Sequence, residues 1–236
     1  MVGQTGRAPD RRVRLAAKPG QKNLVYGEPI PTNIMYPLHP NAGGSPNGMI
    51  WPYTPNVTYQ QNVQYDEYDL THVNQSPQSY KKTDTLTIEV VGDFTVQNDW
   101  EGRYVLACMH FLSTVTKIQY GINSDNPGTP PPVLHFSAYG NLMFDRIPVV
   151  VKSFNIALTP DVDYVRVTLP TEQVFLAIPN TQDLIPQRRG NEAWIPSKVV
   201  ISASLAYNPA PQRVVNEFNW QSFRDGSLLR NRGGYR

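Results

Sequence analysis

The amino-acid sequence predicts a mainly β protein, antiparallel strands with one amphipathic α-helix packed on a sheet. Three observations carry that expectation. Apolar and polar residues alternate at period 2 through Asn56–Leu70, Ser79–Thr95 and Lys198–Tyr207. A single stretch, Asp99–Lys117, has helical spacing. The 22 Pro and 16 Gly among 236 residues interrupt the chain too often for long helices.

From Met1 to about Gly48 no period is sustained, and Pro9, Pro19, Pro29, Pro31, Pro37, Pro40 and Pro46 punctuate the run. Residues 1–50 therefore read as an extended, basic, Pro-rich arm. Its Leu24, Val25, Tyr26, Ile34, Met35 and Tyr36 are too apolar for a solvated linker, so ordering against a partner is expected. A β domain over 51–208 follows. In Asn56–Leu70, Val57, Tyr59, Gln61, Val63, Tyr65 and Glu67 share one parity; in Ser79–Thr95, Leu86, Ile88 and Val90 alternate with Thr85, Thr87 and Glu89. The two stretches pair as a long hairpin across the polar turn Thr71–Gln78. In the helix Asn98 is a cap and Glu101, three residues on, completes a capping box. Tyr104, Ala107, Cys108, Phe111, Leu112 and Val115 form its core-facing stripe, with Arg103, His110, Thr114 and Lys117 off it. After a Pro/Gly loop over Asn123–Pro132, further strands are expected at Val133–Tyr139, Leu142–Phe144 running towards Pro148, Val149–Leu158 and Val162–Leu169. A long loop over Pro170–Pro196 precedes the strand Lys198–Tyr207. Residues 209–236 form a C-terminal aromatic and basic arm, expected to be short and helical in part.

The formal net charge of +2 conceals a partition. Met1–Val25 holds Arg7, Arg11, Arg12, Arg14, Lys18 and Lys22 against Asp10, and Arg213–Arg236 holds five Arg against Glu217 and Asp225, so the body between carries −6. Basic arms flank an acidic body, a pattern that suits polyanions or acidic faces of protein neighbours. The single Cys108 excludes an intrachain disulfide. No apolar run approaches the ~18 residues of a membrane span and the first 25 residues lack a signal-peptide core, so a soluble cytosolic protein is expected.

Chemistry-bearing motifs are sparse. His39, His72, His110 and His135 fall on arm, turn, helix and strand without metal-ligand spacing. Asp66-Glu67-Asp69 and Asp161/Asp163 lack the Gly and terminal Glu of a calcium loop and read as solvated turns. There is no phosphate-binding Gly loop, nucleophile elbow or kinase signature. The expectation is a protein with no catalytic residues, no cofactor and no metal.

Several segments, taken together, carry a resemblance. They are Trp51-Pro52-Tyr53-Thr54-Pro55-Asn56, Tyr65-Asp66-Glu67-Tyr68-Asp69-Leu70-Thr71-His72-Val73-Asn74, Gly92-Asp93-Phe94-Thr95 and the helix from Arg103-Tyr104 to Val115-Thr116-Lys117. Gly128-Thr129-Pro130-Pro131-Pro132-Val133-Leu134, Ile147-Pro148-Val149-Val150-Val151, Asp161-Val162-Asp163-Tyr164-Val165 and Phe218–Phe223 with Gly226 continue it. In this order they resemble the baseplate tube-cap and tube-initiator (tail-tube junction) proteins of contractile-tailed bacteriophages. The resemblance covers Trp51–Gly226. It implies a tail-tube fold, an antiparallel β-sandwich with one flanking α-helix, and a homohexameric ring whose inner strands line a channel. It also implies a structural virion protein that joins the central hub to the tail tube and initiates tube polymerisation.

The partners so implied are further copies of the chain, baseplate hub proteins and the tail tube protein, with DNA transiting the lumen without specific binding and no membrane. The implied location is the virion tail baseplate, reached from host cytoplasm during assembly. The acidic body is expected to face the lumen in part, since a basic wall would hold phosphates. Residues expected at inter-subunit or partner contacts are Trp51, Tyr53, Tyr65, Tyr68, Arg103, Lys117, Arg213, Phe218, Trp220 and Phe223. Alternatives are the tail tube protein itself, a DNA-binding β domain with basic arms, and a carbohydrate-binding sandwich using Trp51, Trp100 or Trp194.

Overall fold

Along Thr87–Thr95, inward Ile88, Val90 and Phe94 are buried while Glu89, Val91 and Asp93 are exposed, the one-face-wet pattern that alternation dictates. The computed structural model describes residues 11–40, 47–72, 74–121, 127–140, 142–169, 174–177, 184–187 and 191–230. Parts of the expected arms (1–10, 41–46, 231–236) and of the two expected loops (123–126, and 170–173, 178–183 and 188–190) lie outside the described residues.

In chain order the elements are β1 (Arg14–Ala17), α1 (Lys22–Tyr26), a 3-10 turn (Tyr36–Leu38), β2 (Met49–Ile50), β3 (Asn56–Gln60), β4 (Val63–Glu67), β5 (Gln78–Thr83) and β6 (Thr87–Thr95). Then come α2 (Asp99–Val115), β7 (Leu134–Ala138), β8 (Phe144–Leu158), β9 (Tyr164–Leu169), β10 (Val174–Ala177), β11 (Leu184–Gln187), β12 (Asn191–Pro196) and β13 (Lys198–Tyr207). Three short helices close the series: α3 (Pro211–Glu217), α4 (Trp220–Arg224) and α5 (Ser227–Arg230).

The protein is mainly β. A seven-stranded antiparallel sheet runs β2-β1-β7-β8-β13-β6-β3, with two-stranded sheets β9/β12, β4/β5 and β10/β11 beside it. Its inner face carries Leu15, Phe136, Ile147, Leu205, Ile201, Ile88 and Val90, which join the α2 stripe of Val105, Ala107, Cys108, Phe111, Leu112 and Val115 in one core. The opposing layer is α2 with β9/β12 rather than a second large sheet. Gly102 lets α2 approach β9 closely: a Cβ there would lie 2.3 Å from Val167 Cγ2. Asn98 caps α2 by accepting the Glu101 N–H at 2.9 Å, while Glu101 reaches back to the N–H of Gln97.

The hairpin expected over Asn56–Thr95 is present. β3 pairs with β6 from Asn56↔Val91 to Gln60↔Thr87, and β4 pairs with β5 from Val63↔Thr83 to Glu67↔Gln78, so the same two chain segments run on past the sheet as a ribbon.

The expected N-terminal arm differs. Over residues 13–40 and 47–50 it is part of the domain: β1 lies inside the sheet between β2 and β7, and Leu15, Val25, Tyr26, Leu38 and Met49 are buried. Apolar burial of ~1.5–3 kcal/mol per large side chain explains why this stretch folds onto the body instead of waiting for a partner. Two tyrosines fasten it. The Tyr26 hydroxyl accepts the Ala17 N–H at 2.8 Å, and burial pushes its pKa up to about 12. At the β2 edge Trp51 N–H bonds back to Val13, so the groups of Ile50 point away from β1. The Tyr104 hydroxyl meets both, accepting the Ile50 N–H at 2.7 Å and donating to its carbonyl at 3.1 Å.

The loop expected over Pro170–Pro196 also contains strands. β12 pairs with β9 from Asn191↔Leu169 to Pro196↔Tyr164, burying Ile195 and turning Trp194 outward beside the Arg166–Glu192 ion pair.

Candidate assembly surfaces

Four adjacent strands of the main sheet, β8, β13, β6 and β3, form a block with two unfilled edges. β3 ends the sheet and, among the described residues, pairs only with β6. On the other side β7 pairs with β8 only over Phe144–Val149, so among the described residues Val151–Leu158 pairs with β13 alone. At both edges the inward row is incompletely covered. Tyr59, opposite Ile88, is 59% exposed, and Leu158, opposite Val199, is 55% exposed.

The outward face of the block is built of small polar side chains, among them Thr58, Thr87, Ser202, Ser204, Ser153 and Asn155. Its charges balance. Glu89 and Asp93 stand against Lys198, which pairs with Asp93 at 2.9 Å, and Lys152 at the β8 bulge. The acidic excess expected on a channel wall is therefore absent from this face.

Beyond the block the β4/β5 ribbon carries no buried residue. Tyr65 packs edge-on against Tyr80, ring centroids 6.1 Å apart, and Lys81 pairs with Asp66 at 3.0 Å. At its root Asp84 accepts two bonds from Gln64 Nε2 and faces Lys82, which together hold its carboxyl below the usual carboxylate range. An open groove of about 670 Å³ lies there, lined by Gln60, Thr87, Val150, Lys152 and Ala206 among others.

Of the residues expected at contacts, Trp51 is a correction. Its indole is fully buried against Phe94 and over Gly92, where a Cβ would sit 2.5 Å from Trp51 Cδ1, so it is a core residue and no sugar platform. Arg103 pairs within its own helix with Asp99 at 2.7 Å. Tyr53, Tyr65, Tyr68 and Lys117 are exposed. Arg213 pairs with Glu217 at 2.7 Å. The aromatic rings of Phe218, Trp220 and Phe223 cluster, with centroids 5.5 and 6.0 Å from Phe223, Phe218 just after α3 and the other two on α4, and neither helix buries any of its residues.

A cationic cluster escaped the sequence reading. Register aligns Ala16, His135 and Pro148 across β1, β7 and β8, and the Asn208 N–H bonds to the Pro148 carbonyl, so α3 starts beside them. Lys18, Arg146 and Arg213 thereby converge on His135, whose pKa is lowered by burial and by those three charges, against the opposing pull of Asp145. The participants are far apart in sequence and only strand register unites them.

No group of three or more His, Cys, Asp or Glu side chains among the described residues is placed to hold a metal ion. Cys108 is fully buried, its thiol pKa pushed well up by desolvation. No helix of the described residues is long and apolar enough to cross a membrane. In comparisons with known proteins, no family and no curated protein matches the chain.

Proposed function

We propose that this chain is a structural ring subunit of the tail-tube kind, acting at the junction between a phage baseplate hub and its tail tube. One observation carries the reading: a four-stranded block whose two edges, β3 and residues 151–158 of β8, are unpaired among the described residues, each with apolar side chains partly uncovered. Long free edges are a liability that closure removes.

The strand count supports closure by rotation. Strands in the block alternate in direction, and four is even, so β3 of one copy meets the open half of β8 in the next with antiparallel sense. A head-to-tail contact of that kind closes into a ring. Six copies would give an inner barrel roughly 40–50 Å across between backbones, wide enough for a duplex to pass. Over residues 151–158 of β8 and the strands beside them the outward face is neutral and hydroxyl-rich, which fits passage of phosphates without retention. The aromatic cluster of Phe218 and α4 then serves as a contact to neighbouring copies, hub or tube. The same edges serve an initiator, a cap or the tube protein itself.

The test is sedimentation of the full chain beside a Leu158→Lys variant, which points a charge inward at the open edge. The reading expects a closed oligomer for the parent and a folded monomer, with unchanged circular dichroism, for the variant. A variant that assembles as the parent does would remove the edge from the account.

A further inference from the structure

We propose that the acidic tip of the β4/β5 ribbon of one copy docks onto the cationic cluster of Lys18, Arg146 and Arg213 around His135 in a second copy. The inference rests on the ring reading for the presence of a neighbour, and it names the contact that fixes one copy to the next.

The ribbon cannot be self-sufficient. From Gln60 to Glu67 it runs about 23 Å past the sheet at ~3.3 Å per residue, and a lone two-stranded ribbon is marginal in water. Asp66 is answered by Lys81 and Asp84 by Lys82, but Glu67 and Asp69 have no ion pair among the described residues. The complementary surplus is Lys18, just after β1, and Arg146 on β8, with Arg213 beside them already paired to Glu217. Lys18 has no ion pair among the described residues, and Arg146 meets Asp145 only at 4.0 Å. His135, held neutral there, adds an imidazole that can hydrogen-bond a carboxylate without adding charge.

Position agrees with charge. The ribbon leaves the sheet at the Gln60/Thr87 end, the end at which β8 begins its pairing with β7 and at which Lys18 follows β1. When β3 of one copy lies along β8 of the next, the ribbon runs on past that end of the neighbour. Within one chain β3 already touches the β7/β8 region, Tyr59 packing edge-on against Phe144 with centroids 5.8 Å apart and the Tyr139 hydroxyl donating to the Pro55 carbonyl at 3.4 Å, yet Glu67 and Asp69 form no ion pair there among the described residues. Opposite charges meeting there set register between copies and are weakened by salt.

The experiment uses the full chain, mixed from isotopically heavy and light preparations and treated with a carbodiimide, which joins a carboxylate to an amine in direct contact. A mixed-isotope link from Glu67 or Asp69 to Lys18 is expected. Glu67→Lys with Asp69→Lys, and separately Lys18→Glu with Arg146→Glu, should each weaken self-association about tenfold or more, and combining the reversed partners should restore it. Restoration excludes misfolding as the cause. A closed oligomer that forms normally in both charge-reversed variants, with no such link, overturns this contact and leaves the ring reading standing. Failure of the parent to associate at any concentration overturns both. Loss of DNA retention in Lys18→Glu/Arg146→Glu with unchanged assembly makes the cluster a phosphate site and overturns the proposal.

Discussion

Replacing Tyr104 by Phe removes one oxygen and opens an edge of the sheet. That oxygen accepts the Ile50 N–H at 2.7 Å and donates to the Ile50 carbonyl at 3.1 Å, and Ile50 is buried. Phe fills nearly the same volume, so the packing contribution of the ring is retained and the change isolates the hydrogen bonds. A neutral hydrogen bond contributes ~1 kcal/mol net, but a buried group left without its partner costs ~1–3 kcal/mol. Two such groups give about 3 kcal/mol, which in a domain of this size lowers the unfolding midpoint by about 6–12 °C. Urea unfolding of the full chain measures the difference, and hydrogen exchange at the Ile50 amide locates it. Tyr120, whose ring is almost fully exposed, supplies the control: Tyr120→Phe should stay within ~0.5 kcal/mol of the parent. If Tyr104→Phe also stays within that margin, with Ile50 exchange unchanged, the helix does not close the edge and the explanation of how the N-terminal segment is held is wrong.

Other expectations follow from the same contacts. Gly102→Ala gains helix propensity of ~1 kcal/mol but drives a Cβ to 2.3 Å from the stiff Val167, so a net loss of about 1–2 kcal/mol is expected, part of which Val167→Ala in the same chain recovers in a double-mutant cycle. Asn98→Ala removes the acceptor for the Glu101 N–H and should cost about 1 kcal/mol in urea unfolding. The folded-state pKa values of His39 and His135 are lowered, so the unfolded chain takes up protons first: stability should be highest above pH ~6.5, fall below it, and level off once the folded-state pKa values are passed. His135→Gln should flatten part of that fall in a series of urea titrations against pH.

What the sequence discloses and what it hides divide along physical lines. The long hairpin, α2 with its Asn98 cap, and β13 announce themselves because period-2 or helical spacing persists over nine or more residues. β1 does not, because Arg14-Leu15-Ala16-Ala17 has four residues, none β-branched, and its burial comes from strands that follow more than a hundred positions later. Trp51 is the clearest misreading. Its own neighbours, Pro and Tyr, look the same in a contact loop, and the signal that it is buried lies at Gly92, a glycine inside an alternating strand where only a missing side chain leaves room for the indole. The Lys18–His135–Arg146–Arg213 cluster has no local signature at all, since register alone assembles it. The ribbon's acidic tip was legible as Asp66-Glu67-Asp69, but its pairing scheme was not: which carboxylates find a lysine depends on the bulge after Gln64.

Electron cryo-microscopy of the assembled full chain, alone or on purified particles, tests the central claim most directly. The expected image is a closed sixfold ring in which β3 of each copy is hydrogen-bonded to residues 151–158 of the next. A solitary subunit in the native particle, or a ring whose contacts leave both of these edges open to solvent, would contradict it.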